Sequence, residues 1–387
     1  MTAFPVSMVG SWPRPEALLR ADRLHRLGRL SREDLDRQAD AAVLEVLRIQ
    51  EEAGLDVVSD GEQRRDNFTS FVADRLDGVR LMTMLDLLPH VDDKAGFERI
   101  LRTLDVPASS LTGPVCVGRV ARREPLALGE LRFLRSHTTR PVKIALPGPY
   151  LLTRAMWVPS LGRAAYRDKE ALADDVVRVL REELADLAAG GADVIQLDEP
   201  VLTEVVFAPA ATRTFMCASL AARGDPTAEL ELAVSLVDRV LEGFSGPTVA
   251  LHVCRGNWSR DESILLRGGY APLAPWLERM PVDQLVLEYA TERAGDLMVF
   301  GDKRLGLGVV NPRSPRVETP DEIARSVERA LALYPAERLS LNPDCGFGTF
   351  SRSPVNTPEI AARKLRAMVD GARRVRAGQA PPPGPDR

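Results

Sequence analysis

Leu251-His252-Val253-Cys254 places an imidazole and a thiol two residues apart at the end of an apolar run, residues 248–251. In an extended strand, residues i and i+2 point to the same side, so the two side chains are presented together. Glu288 closes a second apolar run, 284–287, and Cys345 follows a third, 339–341. Two sulfurs, one imidazole and one carboxylate are ligands that suit Zn²⁺. Taken singly, each has an ordinary reading: a lone cysteine is a small buried apolar residue, and a glutamate simply ends a strand in solvent. The chain, however, has only four histidines (25, 90, 137, 252) and four cysteines (116, 217, 254, 345). That the one histidine at a strand end sits beside a cysteine, with another cysteine at a later strand end, points to His252, Cys254, Glu288 and Cys345 as one zinc site.

The elements that must position these groups follow from the pattern of the chain. Long helices are expected where Ser31 caps a segment with Glu33 and Asp34 in its first turn and Gly54 beyond its end, and at 126–137, 169–189, 227–243, 320–334 and 357–376. Short helical segments are expected near 272–279 and 291–299. Eight core strands are expected at 4–9, 56–59, 142–146, 194–197, 248–252, 284–288, 305–310 and 339–341. Residues 66–113 read as helical pieces with loops, and 114–120 as a strand or hairpin arm outside the main rhythm. Strands alternating with helices imply right-handed parallel βαβ units, and eight of them imply an α/β fold, a (β/α)₈ TIM barrel with insertions, over residues 1–376. An open doubly wound sheet is the alternative, but its glycine-rich phosphate loop is missing after the first strand, where Gly10-Ser11-Trp12-Pro13 stands instead. Residues 377–387, with Pro381-Pro382-Pro383-Gly384-Pro385, read as a disordered tail.

Composition narrows the function. The 387 residues are 45% hydrophobic and 27% charged, as in a soluble enzyme, and the net charge of −4 argues against nucleic acid or an anionic membrane as partner. No apolar run reaches membrane-span length, and the N-terminus lacks the basic start and apolar core of a signal peptide. Unevenly spaced cysteines form no disulfide framework, and thiol ligands need a reducing compartment, so the protein is expected to be cytoplasmic.

In a barrel of this kind the chemistry lies at the C-terminal ends of the strands. Those ends carry, in order, Ser11, Glu62, Pro147-Gly148-Pro149, Asp198-Glu199, His252 with Cys254, Glu288, Arg313 and Cys345. Together with Asp60-Gly61-Glu62-Gln63-Arg64-Arg65-Asp66, Gln196-Leu197-Asp198-Glu199-Pro200 and Asp344-Cys345-Gly346, they resemble the catalytic C-terminal barrel of the cobalamin-independent methionine synthases from about residue 6 to about 370. The resemblance implies that His252, Cys254, Glu288 and Cys345 ligate zinc. It also implies that Ser11, Glu62 and Asp198 hold the amino-acid part of homocysteine, the two carboxylates on its ammonium group. Zinc then activates the substrate sulfur as a thiolate nucleophile, with Glu288 the ligand that yields when the thiol arrives.

Three departures from the family stand out. The chain begins almost directly at the catalytic barrel, without the N-terminal half of the full-length synthases. The family's histidine after strand seven aligns with Arg313, a guanidinium that cannot act as an acid at neutral pH. Ser109-Ser110 and Ala155 stand where folate-contacting residues are expected, with Trp157 as a possible replacement. The methyl donor is therefore open between a folate and a corrinoid protein. The competing reading resembles the epoxyalkane:coenzyme M transferases, with Arg313 and Arg64 or Arg65 holding a sulfonate; Glu62 and Asp198 favour an ammonium-bearing thiol instead. A non-enzymatic reading, a zinc-stabilised binding protein, is disfavoured by the carboxylate in the ligand set.

Overall fold

The computed structural model describes residues 3–91, 94–101, 111–207, 225–257, 259 and 261–379. Among them an antiparallel pair, β1 (Leu76–Thr83) and β2 (Thr112–Arg122), precedes six parallel strands: β3 (Lys143–Pro147), β4 (Val194–Asp198), β5 (Thr248–Val253), β6 (Gln284–Leu287), β7 (Arg304–Val310) and β8 (Leu339–Pro343). The six pair in chain order, and two short segments close the ring. Val6 bridges Leu341 of β8, Ser7 bridges Val57, and Val58 bridges Val142 beside β3. The fold is thus the expected (β/α)₈ barrel.

The two closing segments are shorter than the strands expected at 4–9 and 56–59: each is reduced to a pair of bridges. The cause is local. The Val6 N–H goes to the Asp56 carboxylate at 2.8 Å rather than to a neighbouring backbone, and Pro5 has no N–H to offer. Side chains therefore support what a ladder does elsewhere. Gln50, fully buried on helix Arg32–Ala53, donates to Ser59 O at 2.7 Å and accepts from Ser59 N at 3.0 Å. That pair of bonds anchors the backbone just before Asp60-Gly61-Glu62.

Helix boundaries follow capping chemistry. Ser31 Oγ accepts from Asp34 N at 3.0 Å, and Gly54 ends that helix at φ 89°. Asp168 and Asp225 cap the helices Lys169–Ala189 and Pro226–Leu241, and Thr319 with Glu322 forms a reciprocal box at the start of Pro320–Leu331. The segment expected near 291–299 is only a 3₁₀ turn, Glu292–Ala294. The last helix, Pro358–Gln379, runs through the start of the expected tail, whose remainder lies outside the described residues.

One element departs from expectation in kind. Residues 66–113 include helical turns at Ser70–Asp74, Met84–Leu87 and Lys94–Leu101, but also β1, which pairs with β2 from Leu76↔Arg122 to Thr83↔Thr112. Three of the eight residues of β1 are exposed and only one is buried, and Gly78 (φ 72°) lies within it, so the period-2 signal that identifies a strand is broken. Gly78 lies so close to the Arg119 carbonyl that a Cβ would stand 2.1 Å from it.

Replacing Gln50 with Leu leaves both backbone groups of Ser59 buried without these partners. Chemical denaturation is expected to show a loss of about 2–4 kcal/mol, with metal-free and metal-loaded protein affected alike.

Candidate metal centre

β4 and β5 are in parallel register with Asp198 opposite His252. That register brings Asp198 Oδ1 to 3.0 Å from His252 Nδ1, and Gln196 Nε2 holds the same oxygen at 2.8 Å. A carboxylate on Nδ1 holds a proton on that nitrogen and turns Nε2 toward the thiols, where it can ligate a metal once its own proton leaves; without a metal, and against burial, Cys254 and Asp198 raise the His252 pKa to about 10. Nε2 is buried and has no hydrogen-bond partner. It faces Cys254 and Cys345: the three ligand atoms lie within 4.8 Å of one another, with the two sulfurs 3.8 Å apart. Two Zn–S bonds of about 2.3 Å at a tetrahedral angle separate sulfurs by about 3.8 Å. An orphaned nitrogen beside two thiols at that spacing fits zinc.

The strand ends are tied together around this cluster. Tyr270 OH donates to Val253 O at 2.7 Å and accepts from Glu288 N at 3.0 Å, joining β5 to β6. Asp344 Oδ1 accepts from Tyr289 N and Ala290 N, both at 2.9 Å, joining β6 to the loop that carries Cys345. Phe347 N donates to Ser11 O at 2.8 Å, and a Cβ at Gly346 would stand 2.1 Å from Ser11 Oγ. Only glycine admits the serine there.

Electrostatics divides the two thiols. Cys254 accepts from Cys345 Sγ and lies beside His252, which brings its pKa down to about 5 despite burial; Cys345, the donor of that pair and itself buried, is pushed well above its ordinary value.

Ser11, Glu62 and Asp198 line the same pocket as His252, Cys254 and Cys345, with Phe68, Asn257 and Thr349. Glu62 sits at φ 54°, a left-handed conformation costly for a non-glycine residue. Arg14 enforces it, donating to Glu62 O at 2.7 Å and Arg65 O at 2.8 Å. The Glu62 carboxylate lies over Gly10, where a Cβ would stand 2.2 Å from Oε1, and its Oε2 is buried without a hydrogen-bond partner. Burial raises its pKa to about 7, against the pull of Arg65 and Arg14.

Glu288 is placed differently. It is fully buried, but its oxygens are taken by Arg293 Nη2 at 2.8 Å and by Arg255 N and Nη1 at 3.1 and 3.3 Å, with Arg313 Nη1 at 3.6 Å. It falls outside the three-ligand group. Burial would raise its pKa, but Arg293, Arg313 and Arg255 together hold it below the usual carboxylate value.

The remaining candidates lie apart from the pocket lining. Arg64 pairs with Asp40 and stacks on Phe133; Arg65 pairs with Glu130 at 2.5 Å, donates to Ala145 O and stacks on Phe71. Trp157 is buried against Gly162. Ser109-Ser110 and Cys217 lie outside the described residues. Sequence reading did not single out Asn257, Arg255 or Arg293, though Arg255 directly follows Cys254 and Arg293 is five residues beyond Glu288. Asn257 donates to Gly346 O at 2.5 Å and to Thr349 Oγ1 at 3.1 Å, bracing the Cys345 loop. Nor was the hold of Asp198 on His252 foreseen, because pairing register is not visible in the sequence.

Comparison with known proteins places this geometry. The family described as "Cobalamin-independent synthase, Catalytic domain" matches residues 4–374. The chain is 31% identical over 375 residues to a methionine synthase of Sulfurisphaera tokodaii, covering 96% of this chain and 92% of that protein. It is 32% identical over 376 residues to a methionine synthase of Pyrococcus abyssi, covering 96% and 93%. In fold it is similar to a B12-independent methionine synthase from Shewanella sp. W3-18-1 in complex with selenomethionine, with a TM-score of 0.71 at 24% identity, covering 97% of this chain and 99% of that one. The chain belongs to the cobalamin-independent methionine synthase family and spans its catalytic domain.

Proposed function

We propose that this single barrel is a zinc-dependent S-methyltransferase that makes methionine from homocysteine. The observation that carries the reading is the convergence of His252 Nε2 and the sulfurs of Cys254 and Cys345 in a pocket also lined by Glu62, Asp198 and Ser11. His252, Cys254 and Cys345 would hold the metal. When bound, Zn²⁺ supplies the Lewis acidity that keeps a substrate thiol deprotonated at neutral pH.

The protein's own residues do the rest. Asp198 fixes the histidine tautomer and, with Glu62, presents negative charge to the substrate ammonium group. Ser11 offers a hydroxyl to the polar end of the amino acid. Phe68 and Pro200 on the pocket wall limit water. Such thiols persist in a reducing compartment, which supports a cytoplasmic location; no helix among the described residues is long and apolar enough to cross a membrane.

The acceptor reading favours an ammonium-bearing thiol over coenzyme M. Glu62 and Asp198 line the pocket, whereas Arg313, Arg64 and Arg65 do not, so a sulfonate brought in would meet carboxylates. Membership of a cobalamin-independent family lends no support to a corrinoid protein as donor and leaves a methylated folate as the first to test.

Chelation of zinc should abolish methionine formation from homocysteine and methyltetrahydrofolate, and zinc addition should restore it. Turnover by rigorously metal-free protein would sink the reading. The Asp198→Asn variant should bind zinc about 10–100-fold more weakly in a chelator competition, because the imidazole loses the carboxylate that orients it. Ionisation of Glu62 near pH 7 sets the pH dependence of substrate binding. Above that pH the carboxylate is charged and attracts the ammonium; below it the carboxyl is neutral. KM for homocysteine should therefore fall as pH rises through about 7, and Glu62→Gln should flatten that portion of the profile.

A further inference from the structure

Lys143 is a buried cation in the barrel interior. It opens β3 and is 4% exposed. Its Nζ donates to Ser7 Oγ at 3.2 Å and to Met8 O. The other buried lysine, Lys364, pairs with Glu318 at 2.6 Å; among the described residues no carboxylate stands within salt-bridge distance of Lys143. A buried ammonium group without a counter-ion in contact is costly, so charges further off decide its state.

Strand geometry says which charges these are. Lys143 stands opposite Val194 in the β3–β4 register, and Val194 packs with Val9, Ala250 and Val286. Alternate residues of a strand share a face. Val194, Gln196 and Asp198 therefore lie on one side of β4, as the bond from Gln196 to Asp198 requires, and Lys143 and Ala145 lie on one side of β3. Ala145 neighbours the Glu62 carboxylate: a Cβ built on Gly10 would stand 2.2 Å from Glu62 Oε1 and 3.6 Å from Ala145 Cβ. Lys143 is thus one step deeper in the barrel than the two carboxylates that line the pocket.

The charges act on one another. Burial brings the Lys143 pKa down to about 7, and Asp198 and Glu62 are the charges that oppose the fall. Burial brings Glu62 up to about 7; Arg65 and Arg14 pull it down, and Asp198 and Asp60 push it up. Arg65 and Arg14 are also committed elsewhere, to Glu130 and to backbone carbonyls. Lys143 answers to the pocket carboxylates alone.

Resting on the reading of Glu62 and Asp198 as the pair that takes the substrate ammonium, we propose that Lys143 is the counter-ion that lets both carboxylates stay charged side by side. It touches no substrate and is a positioning residue that acts through them. While it is protonated, the two carboxylates and the lysine together carry one net negative charge, which one ammonium group neutralises. Without it the carboxylates repel each other, and Glu62 keeps its proton to higher pH.

The test is calorimetric titration of the zinc-loaded, full-length protein with homocysteine across the neutral pH range. In Lys143→Met the rise of affinity with pH should move up by about 1 pH unit, the low end of what a nearby opposite charge does to a carboxylate. The ratio of variant to parent Kd should then be about fivefold at pH 7 and fall to near unity about two pH units higher, with Zn²⁺ affinity within about twofold of the parent. Lys143→Arg keeps the charge and should leave the profile in place. Lys143→Gln, polar but uncharged, carries the same expectations as Lys143→Met if that variant does not fold. A lysine that only supports the barrel gives another result: Kd is raised by the same factor at every pH, or is unchanged. Either outcome overturns the proposal. Failure of the amine reading looks different: the parent does not bind homocysteine, or Glu62→Gln binds it as tightly as the parent at every pH.

Discussion

The pairing register between β4 and β5 is the constraint on which the site rests. Because Asp198 stands opposite His252, a carboxylate meets Nδ1 and the other ring nitrogen is turned toward Cys254 and Cys345. Side chains along a strand alternate between faces, so a slip of one residue would send His252 to the opposite face and dissolve the cluster. The apolar partners along both strands, Ile195 with Val249 and Leu197 with Leu251, resist that slip because each is buried.

Around this pair the barrel mouth buries charged side chains. Carboxylates and guanidinium groups are buried there together, and each arrangement gives one group a task. Arg14 spends its donors on backbone carbonyls and thereby holds Glu62 in a left-handed conformation. Arg65 is neutralised by Glu130 and bonds the middle of β3 at Ala145 O. Glu62 is left with a buried oxygen that has no hydrogen-bond partner, and burial raises its pKa to about 7. The pocket thus sets soft ligand atoms, an imidazole and two thiols, beside the carboxylates of Glu62 and Asp198.

The motifs that resemble the family lie where chain direction changes, just past the strands. There the backbone is held by few ladder bonds, and side chains take over, as Tyr270, Asp344 and Asn257 do. This explains why residues with no direct chemistry accompany the ligands so closely. Gly346 makes room for Ser11, and Gly10 makes room for the Glu62 carboxylate.

Composition, apolar periodicity and capping residues were enough to place six of the barrel strands and the long helices, because each of those signals is local. Ser31 and Gly54 bound one helix, and Asp168 starts another, by bonds reaching only a few residues. The sequence also identified His252, Cys254 and Cys345 as partners, since few residue types bind soft metals and the chain has few of them. Tertiary structure decided the rest. β1 was hidden because its partner lies some forty residues away and its alternation is broken. Arg65 turned out to be buried away from the pocket lining because its partner, Glu130, comes from a distant segment, and Trp157 is buried against Gly162. The surroundings of Glu288 were equally out of reach: its spacing in the sequence matched a ligand, but only the folded chain shows three arginines within reach of its oxygens. A residue's type says what it can bind; which of several candidates it meets depends on contacts the sequence does not order.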